Sequence, residues 1–193
     1  MSSIQTSMRL TAIALVCSLS LVGCGKKDAD NGAVKIGFSA PLTGAQAHLG
    51  KDAENGARLA IEDLNAQNLQ IGGKPIKFEL LSLDDQADGK VATTVAQKFV
   101  DDGVVGVIGH MNSGATIPAS RIYNENGIVQ ISASATAVKY TNQGYKNAFR
   151  VMANDDQQSP ALAEYAIKGA KAQRIAIIDD RTAYGQGIAD GFE

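Results

Sequence analysis

The chain has 193 residues, enough for one ordinary domain or one and a half small ones. Basic and acidic residues nearly balance at 18 against 20, and no basic block exceeds Lys26-Lys27, so no stripe is available to follow a nucleic-acid backbone. Apolar residues reach 45% with few aromatics and no Trp, so Val, Ile, Leu and Ala have to fill the core.

The chain opens with a leader-like segment. After Arg9, the stretch from Leu10 to Val22 carries no charge. It is too short to span a bilayer and has the length of a signal's apolar region, and Met8 offers a more compact start. The stretch ends in Leu21-Val22-Gly23-Cys24, which resembles a bacterial lipoprotein signal. That resemblance implies a signal over residues 1–23, cleavage before Cys24, and lipidation of its thiol and amine. A lipidated tether follows over residues 24–33. More than one acyl chain would hold the protein stably at a membrane. Cys17 lies within the signal, so a lipidated Cys24 leaves no free thiol and no disulfide.

Strands and helices then alternate. Val34 to Phe38 reads as a strand. Leu49 to Asn68 reads as a helix, with Leu49, Ala53, Ala57, Ala60, Ile61 and Leu64 on one face. Gly72-Gly73-Lys74-Pro75 reads as a turn and Ile76 to Leu83 as a strand. Asp88 is placed to cap a helix that buries Val91, Ala92, Val95, Phe99 and Val100 and stops at Gly103. Val104 to Ile108 is short and wholly apolar, as expected of a strand covered on both faces. A helix over Ser113 to Asn126 ends at Gly127, and strands follow at Ile128 to Ile131 and Ala148 to Met152. Asp155 to Lys168 is a helix ended by Gly169, Arg174 to Asp179 a strand, and Tyr184 opens a further helix. That helix has only begun at Glu193, so the chain reads as the first part of a longer protein. The alternation predicts an α/β fold with a doubly wound parallel sheet, whose ligands sit at the carboxyl ends of strands beside helix starts.

Little in the sequence points to catalysis. His48 and His110 are the only histidines, and no metal-ligand spacing or phosphate-binding glycine loop is present. In Gly37-Phe38-Ser39-Ala40-Pro41, Pro41 replaces the glycine that a nucleophile elbow requires. Asp84-Asp85 reads either as a Mg²⁺ pair or, more commonly, as a solvated strand end or a cap of the next helix. Binding chemistry is better represented. Gly109-His110-Met111-Asn112-Ser113-Gly114 joins a buried strand to a helix start, where free N–H groups and the Ser113 hydroxyl suit a carboxylate. Ser113 reads equally as a cap of its own helix. Ser132-Ala133-Ser134-Ala135-Thr136-Ala137 is all small, with hydroxyls at alternate positions, and reads either as a seat for a zwitterion or as plain loop.

Taken together, several segments resemble the branched-chain amino-acid (Leu/Ile/Val)-binding proteins of ABC transporters, of the type I periplasmic-binding fold. They are Ile36 to Gly44, Gly56 to Asn65, Ile71-Gly72-Gly73, Asp84-Asp85, Val107 to His110 and Pro118-Ala119-Ser120. The Ser134-Ala135-Thr136 loop, Phe149-Arg150, Arg174 to Ile178 and Tyr184 to Gly187 complete the set. The resemblance covers nearly all of residues 34–193. It implies an N-terminal ligand-binding lobe over 34–150, the start of a second lobe over 151–193, and a hinge that closes the lobes on a ligand.

The resemblance also implies residue roles. Ser113 would hold the ligand carboxylate, Ser134 would offer its carbonyl to the ammonium, and Thr136 would bind through hydroxyl and N–H. Ala135 lies between them, Met111 and Asn112 flank the site, and Tyr184 closes over it. The acidic ammonium partner would lie beyond Glu193. Leu49 departs from the pattern, standing where Leu/Ile/Val binders often carry Tyr. The implied protein is no enzyme and has no cofactor or metal. It passes a small amino acid to a membrane permease from the bacterial periplasm or cell surface. Two other readings use other chemistry: a sensor of the same fold binding an amide, urea or another small metabolite, and a lipoprotein hydrolase.

Overall fold

Five strands form the centre of the fold, and every pairing among them is parallel. The computed structural model describes residues 32–193, of which 33–193 form one unit. The segment from Leu10 to Val22 and Cys24 lie outside the described residues. In chain order the elements are β1 (Ala33–Ala40), α1 (Ala47–Ala66), a small hairpin of β2 (Gln70–Ile71) and β3 (Lys74–Pro75), β4 (Lys77–Asp84) and α2 (Gly89–Asp101). Then come β5 (Gly106–Gly109), α3 (Ser113–Glu125), β6 (Val129–Ser132), α4 (Val138–Thr141), β7 (Ala148–Arg150), α5 (Asp155–Glu164) and α6 (Ala183–Phe192).

The main sheet runs β4-β1-β5-β6-β7. The chain therefore moves outward from β1 to β4, then crosses back and continues on the other side through β5. The reversal leaves a switch point between β1 and β5, where the loops leaving the two strands diverge and open a crevice. Alternating strand residues face two helical layers. Phe38, Ala40, Leu80 and Ile108 pack under α1 through Ala57. On the other face Leu81, Leu83 and Val107 meet Ala92, Val95, Ala96 and Phe99 of α2 and Ala115, Ala119 and Tyr123 of α3. The Phe99 ring is fully buried against Gly37, where an added Cβ would stand 3.2 Å from it. Burying such a ring contributes roughly 2 kcal/mol.

Helix ends follow the residues that predicted them. Asp88 accepts from the Lys90 and Val91 N–H groups at the start of α2, and Gly103 ends it at a positive φ of 72°. Three expectations need correction. Arg174 to Asp179 is not a strand: no described strand lies beside it to form a ladder, and Ile175, Ile177 and Ile178 stay exposed. Lys74-Pro75 belongs to the β2–β3 hairpin, with only Gly72 and Gly73 turning, both at positive φ. The helix beginning at Asp155 widens into a π turn over Tyr165–Gly169, where the Ala170 N–H reaches the Tyr165 carbonyl. Between β6 and β7 a short helix, α4, follows the Ser132–Ala137 loop.

Candidate functional site

A cleft of about 460 Å³ opens at the switch point. Met111, Asn112, Ser113 and Gly114 line it from the β5–α3 loop and Ser134 from the β6–α4 loop. Leu49, Asp52 and Ala53 of α1 form one wall, and Asp180, Thr182 and Tyr184 form another. Five of the residues singled out in the sequence thus share one cleft: Met111, Asn112, Ser113, Ser134 and Tyr184. Ala135 and Thr136 do not line it and are 1% and 2% exposed.

The β5–α3 loop is built as a helix start without a cap. Asn112 occupies the N-cap position, yet no side chain caps the helix. Ser113 is the first helical residue, and its hydroxyl turns away from α3 to accept from the Ala137 N–H at 3.2 Å. It therefore joins two loops instead of closing its own helix. The Asn112 amide donates to Gln46 at 2.8 Å, which ties the β5–α3 loop to the start of α1 across the switch point. Asn112 Oδ1 is buried without a partner.

Hydrogen bonds hold the β6–α4 loop from several directions. The Ser134 hydroxyl donates to the Met111 carbonyl at 2.8 Å. Arg150, at the end of β7, donates to the carbonyls of Ala135 and Ala137 at 3.0 and 3.1 Å, with its guanidinium over the Tyr140 ring. The Thr136 carbonyl accepts from the Asp155 N–H at 3.0 Å, while Thr136 Oγ1 and both Asp155 carboxylate oxygens are buried without partners. Burial pushes the Tyr140 hydroxyl well above its usual range despite the nearby Arg150, so it stays a donor, here to the Phe149 carbonyl.

The two adjacent aspartates have separate duties. Asp84 accepts from the Leu42 N–H at 2.8 Å, from the Thr43 hydroxyl and from the Gln86 N–H, which fastens the loop after β1. Burial alone would raise its carboxyl pKa, but these donors outweigh burial and hold it below the usual value. Asp85 is fully buried and accepts from the Ser39 hydroxyl, the Ala87 N–H and the His110 ring. Among the described residues no group of three or more His, Cys, Asp or Glu is placed to hold a metal ion.

The strand order, the crevice at its reversal and the two loops agree with the sequence match. Residues 33–193 match the periplasmic binding protein family. The chain belongs to that family. A Leu/Ile/Val-binding protein homolog of Brucella abortus is 42% identical over 180 residues, covering 93% of this chain and 46% of the relative. The branched-chain amino acid binding protein LivJ of Streptococcus pneumoniae, in complex with isoleucine, superposes with a TM-score of 0.75 at 30% identity, covering 83% of this chain and 45% of that one. An ABC transporter substrate-binding protein of Desulfitobacterium hafniense, in complex with Leu, gives a TM-score of 0.68 at 32% identity, covering 83% and 46%. The chain of this periplasmic binding protein spans about half the length of the curated relatives it matches.

Several residues of the site carried no mark in the sequence. Gln46 stands just before a helix read only for its apolar face and Asp52 on it, and Thr182 lies on a loop read as a strand-to-helix link. The one available signal was Arg150, a lone guanidinium between a strand and an acidic helix start. Such a group inside a fold requires oxygen partners.

Proposed function

We propose that this periplasmic binding protein captures a small amino acid of the branched-chain type outside the cytoplasm, as the solute-binding component of an ABC importer, without catalysis. The observation that carries the reading is the lining of the cleft. Its wall is largely apolar, with Leu49, Ala53, Ala87 and Met111, while its floor offers the uncapped start of α3 and the polar side chains of Asn112, Ser113 and Ser134. None of the described residues lining it is Lys, Arg or His, and two, Asp52 and Asp180, are acidic. The helix start would suit an anion, but the two acidic side chains beside it favour a ligand that also carries a positive group. A zwitterion fits, because helix N–H groups take its carboxylate and carbonyl or carboxyl oxygens take its ammonium. The names of the Leu/Ile/Val-binding relatives and the bound isoleucine and leucine of the two structures support the choice of ligand.

In this reading Ser113 holds the carboxylate, the Ser134 carbonyl takes the ammonium, Thr136, one residue beyond Ala135, binds through its hydroxyl and N–H, and Met111, Asn112 and Tyr184 border the pocket. Residues 34–150 form one lobe and 151–193 begin the other. Closure of the lobes excludes water, which strengthens each charged contact, and a membrane permease accepts the closed form. Cys24 carries the lipid anchor. The test is a thermal-shift screen followed by calorimetry with L-leucine, L-isoleucine and L-valine, beside amides, urea and 4-methylpentanoate, which lacks the ammonium. The branched-chain amino acids are expected to raise Tm by several degrees and 4-methylpentanoate to leave it unchanged. A shift with urea or amides but with no amino acid would replace the importer reading with that of a sensor.

A further inference from the structure

Beneath the cleft runs a buried chain of polar side chains that contacts none of the cleft's space. Ser39, Asp85 and His110 are each 0% exposed, as is Tyr123. His110 Nδ1 lies 2.7 Å from Asp85 Oδ2, and its Nε2 lies 2.9 Å from the Tyr123 hydroxyl. The same Asp85 oxygen accepts from Ser39 at 3.1 Å, and its other oxygen accepts from the Ala87 N–H at 3.0 Å. One proton arrangement satisfies every atom. Burial, reinforced by the charge of Asp85, keeps the Tyr123 hydroxyl protonated. It donates to Nε2, which leaves Nδ1 to carry the ring proton toward the carboxylate. The carboxylate then has three donors and the ring two partners.

The backbone of His110 continues the chain upward. Its carbonyl accepts from the Ser132 hydroxyl of β6 at 2.7 Å and, at 3.0 Å, shares the Thr116 hydroxyl of α3 with the Asn112 carbonyl at 2.8 Å. Ser132 Oγ in turn accepts from the Ala135 N–H at 3.0 Å. His110 is thus the point at which β1, the end of β4, α3 and β6 are joined. It immediately precedes Met111-Asn112-Ser113 and is one hydroxyl away from the loop of Ser134 and Thr136.

We propose that His110 is a positioning residue for the cleft, whose ring, fixed between Asp85 and Tyr123, holds the β5–α3 and β6–α4 loops in register for a ligand's charged ends. The inference rests on the cleft being the ligand site. A ring anchored at both nitrogens has no free rotation, and the backbone that leaves it inherits that restriction. An asparagine at 110 keeps a donor near the Nδ1 position but cannot reach Tyr123, so the ring's fixed span is lost while the carboxylate keeps its donor. Tyr123→Phe removes only the hydroxyl at the other end and keeps the ring packing.

The experiment compares His110→Asn, Tyr123→Phe and a control, Val95→Ala, which trims an apolar side chain of the α2 core and removes none of the chain's hydrogen bonds. The first readout needs no ligand: amide hydrogen exchange in the unliganded protein. Exchange at Ala115 and Thr116, whose N–H groups reach the Asn112 carbonyl, and at Ser134 and Ala135 is expected to quicken roughly tenfold in His110→Asn and Tyr123→Phe, the scale of one lost hydrogen bond. In Val95→Ala it should change no more than exchange elsewhere in the sheet. The second readout is the affinity for L-leucine by calorimetry, expected to fall about tenfold in the first two variants and not in the control. Uniform quickening of exchange in all three variants overturns the proposal, as does unchanged exchange in His110→Asn. If the wild type fails to bind L-leucine, the ligand reading falls, and the exchange pattern still decides whether His110 sets the loops. If His110→Asn does not fold, Tyr123→Phe decides by the same two measurements.

Discussion

The Ser132 hydroxyl donates to the His110 carbonyl across 2.7 Å, and both residues are fully shielded from solvent. Because Ser132 Oγ also accepts from the Ala135 N–H, this contact links the two loops that border the cleft. Replacing Ser132 with Ala leaves that N–H buried and unpaired. Unfolding in urea should show a loss of about 1–3 kcal/mol with an unchanged m value. A loss below about 0.5 kcal/mol would mean that the loops are held by other contacts.

Ser113→Ala and Thr136→Ala are each expected to weaken amino-acid binding by about 1–3 kcal/mol, the scale of hydrogen bonds to charged groups. Calorimetry at fixed salt measures this. Since the Ser113 hydroxyl also accepts from Ala137, a thermal melt of each variant separates lost binding from lost folding. Unchanged affinity in both variants would remove these residues from the site.

Arg150 should not tolerate Lys. Its guanidinium reaches two carbonyls, Ala135 and Ala137, at once. An ammonium on a flexible stem lacks that fork. Arg150→Lys is expected to lose about 1–2 kcal/mol of stability, close to the loss in Arg150→Gln. Full rescue by Lys would show that charge, and not geometry, is what the loop requires.

Asp84 gives stability a defined acid dependence. Its folded pKa is depressed, so its contribution is present above the unfolded carboxylate value of about 3.9 and is lost as pH falls through the folded value. The stability gap between wild type and Asp84→Asn should be constant from about pH 7 to pH 5 and narrow below about pH 4. Chemical denaturation at a series of pH values provides the measurement. A gap that widens toward acid would contradict the assignment.

Gly109→Ala should be the most damaging single change near the site. Gly109 sits at φ +126°, and an added Cβ would stand 2.3 Å from the Ser39 carbonyl oxygen. Strained backbone and a clash with main chain together are expected to cost more than about 3 kcal/mol. A circular-dichroism melt like that of the wild type would show that β1 and β5 can separate there.

The sheet and its order of helices were legible because their signals are local. Apolar runs such as Val104 to Ile108, caps such as Asp88 and stops such as Gly103 each act within a few residues. The Arg174 to Asp179 segment misled for the complementary reason: its apolar pattern is that of a strand, but a strand exists only beside a partner. The site was half legible. Helix starts and small-residue loops marked Ser113 and Ser134. What ties them together was not visible, since Asp85 to His110, Asn112 to Gln46 and Arg150 to Ala135 are contacts that only the folded register creates. Ser113 shows the limit well. As a free residue at a helix start it reads as a cap, and only the position of Ala137 gives its hydroxyl another partner.

The cleft's wall stands apart from its anchored floor. Leu49 and Ala53 reach it from α1, both exposed, and neither side chain belongs to the chain of hydrogen bonds that runs from Asp85 through His110 to Ala135. In the proposed reading, grip on a ligand's head group and selection of its tail are therefore written in separable parts of the sequence. On that reading, a library that varies positions 49 and 53 is expected to change which side chain is admitted while leaving the grip intact, which would make this scaffold a practical starting point for binders and sensors of other amino acids.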